Sequence, residues 1–251
     1  MTTRLSFRPL QHGLGLIELL VALLLSAILI AGAATIYAQS RNTFRSSEEV
    51  ARLQETARYA MSFLETDLRM ANYWGLSNQA DYIINRAGQP GALGDAWVDD
   101  LCGANWPIDL DRYVEAHDAS KGGLSCIDAI APDSDVLVVR RVSATPEESN
   151  LAANTLYIQS SRLQGTMFVA DGVCADPKDA SCIPAGYLPP LSRSSAVIVH
   201  GYYIGNNAAG IPSLRRVRLT TGPGAADEEI IPGVEDLQVE LGVDNDDDTT
   251  A

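Results

Sequence analysis

The chain has 251 residues, a formal net charge of −14 and 46% hydrophobic residues. This hydrophobic content excludes a disordered chain and is sufficient for a packed core, and the length allows one domain with an appendage. The negative charge argues against binding to nucleic acid, because phosphates attract basic surfaces.

The N-terminal region is predicted to anchor the chain in a membrane. The stretch from Leu19 to Ala38 contains no charged residue, and twenty helical residues span about 30 Å, the thickness of the hydrocarbon core of a bilayer. Arg4 and Arg8 precede it without any acidic residue, so the positive-inside rule keeps the first dozen residues in the cytoplasm. We therefore expect a membrane-spanning helix at 19–38 and everything after it outside the cytoplasm.

A cleaved secretory signal peptide is the alternative, because Ala31-Gly32-Ala33 follows an apolar run and has the small residues of a cleavage site. Glu18 argues against this interpretation. A carboxylate at the start of an apolar run costs free energy in the membrane, so its presence indicates a function.

The segment Gly13–Leu20 has a glycine followed five positions later by Glu18. It resembles the class III leader junction of type IV prepilins and type II secretion pseudopilins. The resemblance implies that residues 1–13 are a leader peptide, that a prepilin peptidase cuts between Gly13 and Leu14, and that the new N-terminal Leu14 is methylated. Leu14 and Gly15 depart from the phenylalanine and threonine that are common there.

Glu18 would then be the fifth residue of the processed chain. When helices of neighbouring subunits stack, its carboxylate can pair with the cationic amine of Leu14 of another chain. Such a pair sets the register of the helices, because a misaligned neighbour leaves a charge unpaired. The alternative is that Glu18 only extends to the membrane interface.

Beyond Ala38 the spacing of apolar residues at steps of three and four predicts that the helix continues, now amphipathic, to about Tyr73. The predicted stripe consists of Val50, Leu53, Ala57, Met61, Leu64 and Leu68. A membrane half followed by an amphipathic half is the pilin arrangement. We assign residues 14–74 to this helix and 75–251 to an extracytoplasmic domain.

Short strands follow the helix, which predicts an α+β fold with a mostly antiparallel sheet on which the helix packs. The candidate strands are Asp135–Val142, Thr155–Gln159, Ala196–Ile204, Leu214–Leu219 and Val234–Val243. Within this region, the segments Ser134–Arg141, Gly233–Val239 and Gly242–Asp244 resemble the PilW family of minor pilins. Chains of that family continue through another strand, so the C-terminal domain could be truncated.

The resemblance to PilW implies a low-copy structural subunit that helps to initiate type IV pilus assembly. It implies a position at or near the pilus tip at the cell surface, partnership with other minor pilins, the major pilin and a tip adhesin, and roles in attachment and twitching motility. Two alternatives remain. A type II secretion pseudopilin shares the leader, helix and sheet, and a membrane-anchored module could capture a ligand through its loops.

Four cysteines lie on the predicted periplasmic side, where an oxidising compartment favours disulfides. They are Cys102, Cys126, Cys174 and Cys182. Three pairings exist, and proximity in sequence favours Cys102–Cys126 and Cys174–Cys182. A zinc site is the alternative, but the chain has no Cys-x-x-Cys and no histidine at ligand spacing.

The acidic C-terminal segment begins like a calcium-binding loop, with oxygen donors at Asp244, Asp246 and Asp248. The glycine and the later glutamate of such a loop are absent, so a solvated acidic tail is the alternative. No catalytic motif is found, and we expect no enzyme. Arg215, Arg216 and Arg218 form a basic strand that is interpreted as a solvated face rather than as a DNA contact.

The first prediction concerns processing. The spacing of Gly13 and Glu18 predicts that the mature chain begins at methylated Leu14. Mass spectrometry of the N-terminus of the membrane-extracted protein measures this directly. An N-terminus at Ala34, or an uncut Met1, would contradict the pilin interpretation.

Overall fold

The structure is a computed structural model that describes residues 15–88, 93, 102–118, 124–127, 129–147, 151–170, 193–222 and 224–242. The chain divides into two compact units, Met1–Glu55 and Thr56–Ala251. The described part of the first unit is helical except for Gly15. The second unit contains the last turns of the same helix and eight strands within its described residues.

Helix α1 spans Leu16–Met70. It contains no proline, and leucine, alanine and other good helix formers dominate its sequence. It ends three residues before the predicted Tyr73, because Asn72 adopts a left-handed conformation with φ of 63°. Such a residue terminates the helical hydrogen-bond pattern. In the second unit, Ala60, Leu64 and Asp67 are the buried residues of α1.

The eight strands form one sheet. They are β1 (Ile83–Ile84), β2 (Val114–Asp118), β3 (Asp135–Val142), β4 (Thr155–Ser160), β5 (Gly165–Ala170), β6 (Arg193–Asn206), β7 (Pro212–Thr220) and β8 (Gly224–Pro232). Strands β1 and β5 are parallel, and the other described pairs are antiparallel. The predicted α+β class with a mostly antiparallel sheet is confirmed.

Strand β6 is the centre of the sheet because it pairs with three others. Its residues 193–196 pair with β4, 197–202 pair with β3, and 200–206 pair with β7. From these neighbours the sheet extends to β5 and β1, to β2, and to β8. Since β4 and β7 occupy successive parts of one long strand, the sheet curls around β6.

Apolar side chains are buried on both faces of the sheet. On β3, the alternation of a strand sends Val136, Val138 and Val142 into the larger core cluster and Leu137 and Val139 into a second one. The larger cluster is covered by loops. The second cluster contains Ala60 and Leu64 and is therefore the face on which the last turns of α1 pack.

Four of the five predicted strands are confirmed, and Asp135–Val142 has the predicted limits. The fifth, Val234–Val243, is wrong for residues 234–242, which the structure describes as irregular. Pro232 ends β8, and Gly233 follows with φ of 85°. The segment then crosses the start of β3, where the amide of Asp135 donates to the carbonyl of Leu237 at 2.7 Å.

A disulfide joins the loops over the larger cluster. It connects Cys102 and Cys126, the first of the two predicted pairs. The loop that follows Cys102 buries Trp106 against the sheet. Arg140 of β3 secures the same loop, because its guanidinium donates to the carbonyl of Trp106 at 2.7 Å and to the carboxylate of Glu115 at 3.0 Å.

The second prediction concerns this disulfide. Replacing both partners, Cys102→Ser with Cys126→Ser, should lower the free energy of unfolding by about 3 kcal/mol, because the pair closes a loop in the unfolded chain. Their sequence separation is 24 residues. Urea titration of the full chain in detergent, followed by the fluorescence of the buried Trp74 and Trp106, measures the change. Equal unfolding free energies for variant and wild type would contradict it.

Candidate assembly site

The first unit presents an unusually apolar surface. Every residue of α1 from Leu16 to Glu55 is exposed, and an 18-residue window of the helix reaches a mean hydropathy of 2.6. By length and composition the helix can cross a membrane. A soluble helix would bury an apolar stripe against its own domain, so this exposed surface requires lipid or other helices as its environment.

Glu18 lies in the first turn of α1. Its carboxylate is bordered by Ile17, Val21, Ala22 and Leu25, which form an open apolar depression with it. Among the residues that the structure describes, Glu18 makes no side-chain hydrogen bond or ion pair. A negative charge in the first turn is favourable with respect to the helix dipole, by about 0.3–1 kcal/mol. The carboxylate is therefore available to a cation from outside the described chain.

Several predicted site residues lie outside the described residues. These are Gly13 and Leu14 of the predicted cleavage site, Cys174 and Cys182 of the second predicted disulfide, and Asp244, Asp246 and Asp248 of the predicted calcium loop. Within the described ranges, no group of three or more His, Cys, Asp or Glu side chains could hold a metal ion.

In the second unit, a cluster of polar side chains fixes the last turns of α1 to the sheet. It consists of Asp67 of α1, Arg141 of β3, and His200 and Tyr202 of β6, and is called the Asp67 cluster below. Arg141 donates to one carboxylate oxygen at 2.8 and 2.9 Å. Tyr202 donates its hydroxyl to the other at 2.5 Å, and His200 is hydrogen-bonded through Nδ1 to that same oxygen.

These contacts keep the buried carboxylate charged. Burial by itself raises the pKa of Asp67, but the hydrogen bonds and charge of His200, together with Tyr202 and Arg141, hold that pKa well below its usual range. Burial and the neighbouring Asp67 carboxylate raise the pKa of Tyr202 in turn. Because an ionised carboxylate has no proton to give, the Nδ1 atom of His200 must be the donor.

The predicted basic strand is part of a charge ladder between β7 and β8. Arg215 pairs with Asp227 at 2.5 Å, and Arg216 donates to Glu228 at 2.7 Å. Arg218 lies 3.7 Å from Glu228. The interpretation as a freely solvated face is therefore incomplete, because cross-strand acids neutralise these arginines.

Sequence reasoning missed the Asp67 cluster. Two features of the sequence could have revealed it. They are an aspartate near the end of the helix and a pair of arginines inside the apolar strand β3. A charge in an element otherwise patterned for burial needs a partner. The partners could not be identified, because they lie 74 and more residues away along the chain.

Comparison with known families gives two matches. A model described as Type IV Pilus-assembly protein W matches residues 201–251, and one described as Prokaryotic N-terminal methylation motif matches residues 8–34. Comparison with curated proteins and with solved structures gave no match. The two family matches confirm the predicted resemblance. They support a PilW-like type IV minor pilin, and the methylation motif together with the apolar helix suggests an inner-membrane anchor.

The third prediction concerns the pH dependence of Asp67. Its pKa is lower in the folded chain than the value of about 3.9 expected when unfolded, so its stabilisation is present above that value and is lost as the pH falls below it. The unfolding free energy of wild type should exceed that of Asp67→Asn at pH 5, and the difference should shrink towards pH 2. Urea titrations across this range measure it. A difference that is independent of pH would contradict the assignment.

Proposed function

We propose that this PilW-like minor pilin helps to initiate type IV pilus assembly from the inner membrane and then lies at or near the pilus tip, where it supports attachment and twitching motility. The observation that carries the proposal is the exposed apolar helix with an unpaired carboxylate in its first turn. The family matches at both ends of the chain support the same conclusion.

Before assembly, lipid surrounds the apolar run Leu19–Ala38. Arg4 and Arg8 precede that run in the sequence, so the second unit lies in the periplasm in this proposal. The disulfide between Cys102 and Cys126 is compatible with such an oxidising compartment. A prepilin peptidase removes residues 1–13 on the cytoplasmic side, and the anchor remains.

In the filament, helices of other minor pilins and of the major pilin replace lipid around α1. The carboxylate of Glu18 then pairs with the amine of Leu14 of a neighbouring subunit. Moving a charge from the hydrated membrane interface into a bundle of helices is costly unless the charge is paired. The register of neighbouring helices that pairs the Glu18 carboxylate with the Leu14 amine is therefore favoured over registers that leave either group unpaired. The charge ladder of β7 and β8 is satisfied internally and supplies no such pairing. A tip adhesin is the proposed partner of the second unit.

Deletion of the gene tests this function against the two alternatives. If the chain is a minor pilin that initiates assembly, the deletion strain should have few surface pili and no twitching but normal protein secretion. Complementation with the gene should restore pili and twitching. Loss of secreted proteins with normal pili would instead indicate a type II secretion pseudopilin. Normal pili and secretion, with loss of ligand capture by the cells, would indicate a binding module.

The fourth prediction is that Glu18→Ala impairs assembly without impairing insertion. Removal of the carboxylate leaves the Leu14 amine of the neighbouring subunit surrounded by apolar side chains, and an unpaired buried charge costs on the order of 3–5 kcal/mol. The variant should be cleaved and membrane-inserted as wild type, because a charge unfavourable in lipid has been removed. Its co-purification with the other minor pilins, and the number of pili, should fall sharply.

Glu48→Ala is the matched control, because Glu48 is an exposed helical glutamate whose described partner is Arg52, one turn away on the same helix. Such pairs contribute only about 0.3–0.5 kcal/mol. This control should assemble as wild type. If Glu18→Ala also assembles as wild type, pairing through Glu18 is wrong even if the chain acts in pilus assembly.

A further inference from the structure

The segment of α1 that follows the apolar run carries its charges in a fixed order. The first charged residues after Ala38 are Arg41 and Arg45, and the next are Glu48 and Glu49. Because an α-helix rises about 1.5 Å per residue, the two arginines lie about 4.5 and 10.5 Å beyond the end of the run, and the two glutamates lie about 15 Å or more beyond it. Basic residues are therefore closest to the membrane, and acidic residues are farther from it.

The heights of the two arginines match the polar layer of a bilayer. The hydrocarbon core is about 30 Å thick and the whole bilayer about 40–45 Å, so each headgroup layer occupies about 5–8 Å. Side chains of an α-helix tilt towards its N-terminus, which is the membrane side for residues that follow the run. Arg41 therefore lies in the headgroup layer, and the long side chain of Arg45 extends back towards it, as charged side chains near the ends of membrane helices do.

The structure gives neither arginine a partner on its own chain. Among the residues that it describes, the side chains of Arg41 and Arg45 make no hydrogen bond or ion pair. Acids lie three and four residues beyond Arg45, yet Glu48 pairs instead with Arg52 at 2.8 Å. That pair has the glutamate before the basic residue, which is the more favourable order at this spacing. Both unpaired arginines are exposed, so their guanidinium groups are available to an anion from outside the chain.

Two aromatic side chains lie on the same face of α1 as these arginines. Tyr37 is 66% exposed and Phe44 is 73% exposed. At about 100° per residue, the two rings and the two arginines fall within roughly 100° of the helix circumference. Aromatic residues are enriched where hydrocarbon meets headgroups, because tyrosine can place its ring in the apolar region and its hydroxyl in water. One face thus combines aromatic rings with cations, a combination that binds phospholipid surfaces.

We propose that Arg41 and Arg45, flanked by Tyr37, form a phospholipid-binding site that takes phosphate groups of the leaflet at which the apolar run ends. A guanidinium binds phosphate oxygens through parallel N–H donors, so the contact is directional as well as electrostatic. It fixes the depth of the anchor and tilts the helix towards this face. The proposal rests on the membrane anchor of the proposed function and adds lipid phosphate as a ligand.

The two ends of the apolar run then have different partners. Glu18 borders the start of the run and pairs, in the proposed filament, with an amine of another subunit. Arg41 and Arg45 lie beyond the other end and bind lipid before assembly. Because helices replace lipid around the run in the filament, the phosphate contacts are lost on assembly. Their strength therefore opposes departure of the subunit from the membrane.

Solid-state NMR tests the contact in the full chain. The protein is labelled with ¹³C at the Cζ atoms of arginine and reconstituted into vesicles of phosphatidylethanolamine and phosphatidylglycerol. Dephasing of the ¹³C signal by lipid ³¹P is then measured in the frozen sample. The dipolar coupling falls steeply with distance, so it selects guanidinium groups in contact with phosphate. Arginines elsewhere in the chain are the same in every sample, so the difference between variants reports on the substituted positions.

In Arg41→Gln with Arg45→Gln, the dephased part of the signal should fall by the share of two arginines, and each single variant should lose the share of one. Equal dephased signals in wild type and in these variants would overturn the proposal. All variants should resist extraction from the vesicles by alkaline carbonate, because the apolar run is unchanged. Should the double variant be extracted, the single variants decide in the same way.

The matched control is Arg52→Gln with Glu48→Gln. It removes an exposed arginine of the same helix that lies about 21 Å beyond the run. Its partner Glu48 is replaced as well, so that no freed carboxylate is left beside Arg45. The control should leave the dephased signal unchanged. A loss as large as that of the double variant would overturn the proposal, because the effect would then not be specific to the two arginines nearest the membrane.

Two further measurements separate the sources of phosphate and the underlying anchor. In frozen maltoside micelles with inorganic phosphate, wild type should show no comparable dephasing. Dephasing equal to that in vesicles would overturn the assignment to lipid, because the arginines would then bind free phosphate. If carbonate extracts wild type from the vesicles, the membrane anchor of the proposed function is wrong and this inference falls with it. If wild type is retained and the variants dephase equally, the lipid site alone is wrong.

Discussion

The carboxylate of Asp67 fixes the position of the helix on the sheet, and Ala60 and Leu64 are the other buried residues of α1. Full burial of a leucine side chain contributes about 1.5–3 kcal/mol, and an alanine contributes less. Hydrogen bonds to charged groups contribute about 1.5–3 kcal/mol each, and Asp67 makes them with Arg141 and with two side chains of β6. The hydrogen bonds of Asp67 therefore add a directional part to an interface whose hydrophobic part also includes the half-buried Phe63 and Met70.

Two consecutive arginines of strand β3 bind the segments that cover the two faces of the sheet. Arg141 points to the helix, whereas Arg140 points to the disulfide-linked loops and binds the carbonyl of Trp106 and the carboxylate of Glu115. Burial lowers the pKa of Arg140, while Glu115 opposes this effect. Since β3 also pairs with β2 and with the central β6, both covers are tied to the middle of the sheet.

The parts of the fold that depend on local pattern could be predicted from the sequence. The apolar run and the β-branched stretch Asp135–Val142 are such parts, because helix and strand periodicity is encoded within a few residues. The strand β5 was missed, since its Gly165 and Thr166 give no alternation. Strand β8 was missed for another reason: its acids Asp227 and Glu228 look solvated until the arginines of β7 lie opposite them.

The same limit applies to the choice of the helix face. Periodicity predicted an apolar stripe that includes Met61 and Leu68 and that needs a sheet or neighbouring helices to cover it. The structure leaves Met61 and Leu68 exposed and buries Ala60, Leu64 and Asp67. The deciding interactions join residues 74 to 135 positions apart, and no local pattern contains them. The aspartate in the last turns of the helix was the available signal, and it indicated a charge that needed distant partners.

The exposed helix of the first unit places a constraint on how assembly can be driven. Lipid tails are as apolar as leucine, so moving the run Leu19–Ala38 from lipid into a bundle of helices gains little hydrophobic free energy. Close packing, and polar or charged groups that are poorly satisfied in lipid, must then supply the preference for helices. Glu18 is the acid that borders this run. Under the proposed function, pairing at this position is favourable in the filament because lipid offers the carboxylate no equivalent partner. The carboxylate that is costly in lipid then makes the anchor specific for another subunit.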